Sequence, residues 1–260
     1  MTQTQTAVPM RLALVGAAAG LLGGFFGVGG GIILVPLLVW LGLGRHRAHA
    51  TSLASFIVIA TAGAISFGVA GAIDLRFGLA IGLGGAVGSV VGATVMSRLS
   101  SRTLAIVFAT VLLVAGLRMV FGGDPLPGTT DLDLTGQLLV AVGVGMVSGL
   151  FAGLVGIGGG VVIVPAAVLL LGLDQHVAQG TSLLAIVLTA IAGSTVNLRN
   201  RLVRPRDALF IGAGGVVGSL IGTRLALGLD GDTLGVVFGF WVLIEATRTF
   251  YRVWRERAAA

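Results

Sequence analysis

The most constraining feature of this chain is a set of long stretches free of Asp, Glu, Lys, Arg and His. They cover residues 12–44, 50–73, 77–97, 103–117, 134–173, 177–198, 208–223 and 233–244. A membrane-spanning helix needs about 20 apolar residues, or about 17 at the short end. The shorter stretches reach that length when flanking polar side chains snorkel. Only 10% of the residues are charged and 56% are hydrophobic, against roughly 25% charged in a soluble domain. A soluble fold must cover itself with charge, which this composition cannot do. The chain therefore reads as an all-α integral membrane protein of eight apolar segments, in two sets of four.

The two sets are copies. Gly27-Val-Gly-Gly-Gly-Ile-Ile-Leu-Val-Pro36 matches Gly156-Ile-Gly-Gly-Gly-Val-Val-Ile-Val-Pro165, and Thr51-Ser52-Leu53 matches Thr181-Ser182-Leu183. Gly82, Gly84, Gly85, Gly88, Ser89 and Gly92 fall on Gly212, Gly214, Gly215, Gly218, Ser219 and Gly222, and Arg118 falls on Arg248. Such long self-similarity marks an internal repeat. It divides the chain into a polar tail (1–10), a first transmembrane repeat (11–120), a linker (121–135), a second repeat (136–250) and a basic tail (251–260). The linker, with Asp124, Pro125, Pro127, Gly128, Asp131 and Asp133, reads as an exposed loop. The apolar stretch after Arg11 is too long for a signal core and recurs mid-chain, so it reads as retained.

The first segment of each half is too long for one span. Its 33 residues would make a helix of about 50 Å, across a hydrocarbon core of about 30 Å. Three consecutive glycines at its centre break a helix, and Pro36 suits the first turn of a new one. Two half-helices joined by unwound backbone are expected, and again around Gly156–Pro165. Unwound backbone survives in a membrane only where it is buried in protein or lines a cavity. Transporters bind solute at such breaks, and free N–H groups at a half-helix N-terminus suit an anion. Tight packing at a glycine-rich kink is the competing reading.

Charge separates two topologies. If each broken segment crosses fully, the arginines divide 11 to 5 between the faces. If each enters and returns, one face collects Arg11, Arg45, Arg47, Arg98, Arg102, Arg199, Arg201, Arg204, Arg206, Arg248, Arg252, Arg255 and Arg257. The other keeps only Arg76, Arg118 and Arg224. Positive-inside bias favours the second, an inverted repeat. Both arrangements put the N- and C-termini in the cytoplasm.

Thr51-Ser52 and Thr181-Ser182 are expected to open the second helix of each half, as N-caps or as hydroxyl donors to an anion. His46 and His176 are expected to be exposed loop residues. Glu245, inside the last segment, has Arg248 three residues on as a local partner. The tail from Phe250 resembles an interfacial end with aromatic and basic residues. All sixteen basic residues are Arg and flank apolar stretches, so topology rather than nucleic acid accounts for the basic charge. There are no cysteines, hence no thiol chemistry, and no metal-ligand spacing. The glycine loops lack the Lys-Ser/Thr of a phosphate loop.

The repeated Gly-x-Gly-Gly-Gly-x-x-x-Val-Pro followed by Thr-Ser-Leu resembles the TauE/SafE, or sulfite exporter, family over about residues 11–250. The resemblance implies a multi-pass plasma-membrane permease, not an enzyme and without a cofactor, for sulfite or small organosulfonates, frequently outward. On it, Gly29, Gly30, Gly31, Pro36, Thr51 and Ser52 become substrate-binding candidates, as do Gly158, Gly159, Gly160, Pro165, Thr181 and Ser182. The expected partners are a small anionic solute and membrane lipid, with no nucleic acid and a homo-oligomer left open. An anion channel, or a carrier of another small organic anion, is the alternative.

Overall fold

The structure, a computed structural model, describes residues 9–95, 101–121, 132–155 and 159–258. These form ten helices: α1 (Pro9–Phe26), α2 (Gly31–Trp40), α3 (Arg45–Val69), α4 (Leu75–Val95), α5 (Ser101–Val120), α6 (Leu134–Val155), α7 (Gly160–Leu171), α8 (Gln175–Arg199), α9 (Pro205–Leu227) and α10 (Gly231–Ala258). Seven of them (α1, α3, α4, α6, α8, α9 and α10) are long and apolar enough to cross a membrane. The chain is an all-α, multi-span membrane protein. Ten helices arise from eight uncharged stretches because the first stretch of each half yields two. The linker residues 122–131 lie outside the described residues, as does Arg98.

Glycine sets how the helices meet. A Cβ at Gly16, Gly20 or Gly24 of α1 would overlap the carbonyl oxygen of Ile211, Gly215 or Ser219 of α9. Gly214, Gly218 and Gly222 of α9 meet Ala13, Ala17 and Leu21 of α1 in the same way. Glycine at every fourth position lets the two backbones touch, which in lipid replaces the hydrophobic drive that water would supply. The contact recurs between α6 and α4. Gly145 and Gly149 meet Ile81 and Gly85, while Gly84, Gly88 and Gly92 meet Val142, Met146 and Leu150. Each seam joins one half to the other, and the repeat register relates the two seams residue by residue.

The same contacts give the helix directions. Contacts between α1 and α9 advance together, so these helices are parallel, and α4 and α6 are parallel likewise. Ser55 reaches Ala208 and Gly63 faces Ser219, which makes α3 parallel to α9. Gly78 and Gly82 pack on Leu184 and Leu188, which makes α8 parallel to α4. In contrast, Gly63 meets Leu183 while Gly193 meets Leu53, so α3 and α8 are antiparallel. Thus α1, α3 and α9 run one way, and α4, α6 and α8 the other. The matching helices α1 and α6 are therefore opposed.

Two local expectations are corrected. Pro36 and Pro165 are the sixth residues of α2 and α7, not first-turn residues. Each proline sacrifices only the bond to the carbonyl of the second residue, at the loose start of a short helix. His176 is not an exposed loop residue. It is the second residue of α8, and its Nε2 lies 3.2 Å from the Ala226 oxygen and 3.1 Å from the Leu229 oxygen at the end of α9. Its matching residue His46 is likewise helical, the second residue of α3, but it is exposed.

Candidate functional site

The first break falls where the sequence places it. Helix α1 stops at Phe26, and Gly27, Gly29 and Gly30 all take positive φ (70°, 74° and 81°). Side-chain-bearing residues pay for that conformation, which is why the sequence is glycine there. The chain then reverses. Val28 N–H donates to the Gly23 oxygen at 3.0 Å, and Gly30 lies against the Ala19 carbonyl, seven residues back inside α1 from its end. The second break is similar. Gly159 has φ 74° and lies against Ser148 inside α6, the residue that matches Ala19. Gly158 lies outside the described residues.

The first loop sits at mid-height and touches the start of α7. A Cβ on Gly160 would stand 2.5 Å from the Val28 Cα and 2.9 Å from the Ile186 side chain. Gly29 faces Ile186 and Phe56, near the middles of α8 and α3. Gly27 lies against Gln179 of α8. Phe26, at the end of α1, stacks on Trp241 of α10 with centroids 4.6 Å apart and meets Phe238 edge-on. These rings close the loop off on the α10 side.

The hydroxyl candidates do not all join the loops. Thr51 and Thr181 are not helix starts: α3 begins at Arg45 and α8 at Gln175, so both lie six residues inside. Their Oγ1 atoms accept backbone N–H groups of the opposite half. Arg204 N donates to Thr51 at 3.1 Å and Asp74 N donates to Thr181 at 2.9 Å. Each Thr thus anchors the residue that precedes α9 or α4. Ser52 and Ser182 are fully buried, and their hydroxyls have no hydrogen-bond partner. Spacings of three and four put Ser182 on the α8 face between Gln179 and Ile186, the side that meets the first loop.

Two further polar residues, Gln175 and Gln179, lie in α8. Both are buried (6% and 0% exposed), and neither amide has a partner. A search for charge inside apolar stretches misses an uncharged amide. The signal available was a Gln pair four residues apart on one face of an otherwise apolar helix. Glu245, by contrast, is accounted for locally, since Arg248 Nη1 donates to its Oε1 at 2.9 Å. Among the described residues no group of His, Cys, Asp or Glu could hold a metal ion.

Opposed broken helices that meet inside a bundle of apolar spans are an arrangement that membrane transporters use. The sulfite exporter TauE/SafE family pattern matches residues 2–119 and 141–260, and the chain belongs to that family. As a member it moves a small solute across a membrane and is not an enzyme. It is similar to a "Probable membrane transporter protein" of Xylella fastidiosa strain Temecula1, 30% identical over 251 residues covering 95% of each chain. The counterpart in strain 9a5c has the same identity and coverage. The "Probable membrane transporter protein YunE" of Bacillus subtilis is 26% identical over 263 residues, 92% of this chain and 96% of its own. No solved structure matches.

Proposed function

We propose that the chain is a secondary transporter of a small anion, sulfite or an organosulfonate, that works as an exporter from a site at the two glycine loops. The observation that carries this reading is the meeting of Gly27–Gly30 with Gly160 at mid-height. There two half-helix N-termini, α2 and α7, bring backbone N–H groups and the positive ends of their dipoles together. An anion can be held by such donors without a cationic side chain, and weakly enough to leave again. The proposed binding residues are Gly29, Gly30, Gly31 and Ser52 with Gly158, Gly159, Gly160 and Ser182. Pro36 and Pro165 stiffen the short helices behind them. Thr51 and Thr181 hold the surrounding frame rather than the solute.

In this reading residues 11–120 and 136–250 are inverted repeats, each with three full spans and one re-entrant hairpin. The opposed directions of α1 and α6 support it. So does the arginine distribution, because the end where α1, α3 and α9 begin carries Arg11, Arg45, Arg47, Arg204 and Arg206. That end, with both termini, faces the cytoplasm of a plasma membrane.

The test is flux of labelled sulfite and of labelled sulfonates in proteoliposomes, for wild type and Gly29→Ala. The three atoms nearest a Cβ at Gly29 beyond its chain neighbours all belong to side chains, the closest being Ile186 Cγ2 at 3.4 Å. The variant should therefore fold while its loop is strained. Flux per folded molecule should fall at least tenfold, as expected when a binding backbone is displaced by about 1 Å. Unchanged flux in folded Gly29→Ala protein would overturn the site.

A further inference from the structure

A crevice of about 470 Å³ opens at the arginine-poor end, between the end of α5, the end of α7 and the starts of α8 and α10. Arg118, Asp174, Gln175, Asp232 and Gly235 are among its lining residues. We propose that this crevice is an anion vestibule, in which Arg118 and Gln175 receive a small oxyanion and pass it to Gln179 beside the first glycine loop. The proposal rests on the transport reading above and adds a route and a second recognition point to it.

Three observations carry it. The Nη1 of Arg118 is buried and has no hydrogen-bond partner. The repeat explains why: its counterpart Arg248 is bonded to Glu245, but the position matching Glu245 in the first half is Ala115. Duplication has thus left one guanidinium paired and the other open. Next, Gln175 is 6% exposed, both its amide atoms lack partners, and its Oε1 points toward Gly235 on the crevice wall. Buried amides are ordinarily bonded, so an unpaired one lining a cavity points to a solute or water that completes it. Last, Gln179 is one helical turn further in, wholly buried, also unpaired, and packed on Gly27. The two amides form a ladder from the crevice to the loop.

The acidic groups at the rim do not cancel this. The Asp174 carboxylate accepts the His176 N–H at 2.9 Å and is 62% exposed. Asp232 is exposed in the first turn of α10. Both stand at helix N-termini, where a carboxylate balances the positive dipole end. Arg118 remains as the inward charge. A guanidinium and amide N–H groups match a compact anion with several acceptor oxygens.

The chain has no cysteine, so Gln175→Cys and Gln179→Cys give single-thiol proteins for reconstitution. Each is treated from the Asp174 side with anionic sulfonatoethyl and cationic trimethylammonioethyl methanethiosulfonate. Position 175 should react, with the anionic reagent roughly tenfold faster in low salt, and position 179 more slowly with the same preference. Arg118→Gln should abolish the preference and Arg118→Lys should keep it. Should Arg118→Gln not fold, salt serves instead, because raising it to about 0.5 M should erase the preference in the Arg118 protein. Leu188→Cys, on the α4-facing side of α8 against Gly82, should not react. No reaction at 175, or a preference indifferent to both Arg118 and salt, would overturn the vestibule. Labelling needs no transport. Charge-selective labelling with unchanged Gly29→Ala flux would remove the loop site alone, and charge-blind labelling with lost flux would remove the vestibule alone.

Discussion

The glycines of the helix seams and those of the two loops serve opposite ends with one residue. In the α1–α9 and α4–α6 seams, glycine keeps ordinary helical backbone and yields space, so that carbonyls of the neighbouring helix fill the place of a Cβ. In the loops, Gly27, Gly29, Gly30 and Gly159 yield conformation, with φ near 70–80°. The seams freeze the two halves together. The loops lie where helices stop inside the bundle. The two uses are told apart by contact and backbone conformation, not by glycine abundance.

Substitutions that separate the two uses should differ in kind. The largest effect is expected in the seams. Gly20→Val and its counterpart Gly149→Val both drive a side chain into facing backbone at Gly215 or Gly85, which has no rotamer to give. Each should cost about 3 kcal/mol or more, seen as loss of monodisperse protein on extraction. Equal losses at the two positions would support the symmetric seams, and unequal losses would break them. Gly29→Ala should come next, destabilised by about 1–2 kcal/mol of left-handed strain, with a lower melting temperature yet intact extraction and lost flux.

Hydroxyls sharpen the contrast further. Thr181→Val removes the bond to Asp74 N and should cost about 1 kcal/mol or somewhat more. Ser182→Ala removes an unpartnered buried hydroxyl and should leave stability unchanged or raised, while lowering flux. A neighbouring pair with stability loss at one residue and flux loss at the other would place the boundary between frame and site between positions 181 and 182. The smallest effect concerns Asp230, whose carboxylate accepts the Thr233 N–H at 2.8 Å. That backbone bond holds its pKa below the usual carboxylate value. Its contribution is present above the ordinary pKa and disappears as pH falls through the lowered one. Asp230→Ala should therefore shift the melting temperature slightly at neutral pH and not at all in strong acid.

Much of this architecture was legible in the sequence because membranes restrict the choices. Uncharged stretches had to become helices, and Gly27–Gly31 in the middle of 33 such residues had to break one. What stayed hidden was relational. Nothing in Thr51-Ser52 says that one hydroxyl binds Arg204 N across the halves while the other binds nothing, since that depends on the antiparallel pairing of α3 with α8. Gln175 and Gln179 also stayed hidden, because an uncharged amide becomes conspicuous only once burial removes its water. The Pro36 placement failed for a similar reason: the helix began earlier, at Gly31, than a proline-led start implied.

The transport reading requires the chain to turn back at each glycine loop instead of crossing. Single cysteines at Arg47 and Asp174, added to this cysteine-free protein and labelled with an impermeant maleimide in sealed right-side-out vesicles, measure it most directly. Position 174 should label from outside, and position 47 only after the vesicles are opened, together with a tag on the N-terminus. Labelling of position 47 from the face opposite the N-terminus would mean that the first segment crosses, and would contradict the re-entrant turn.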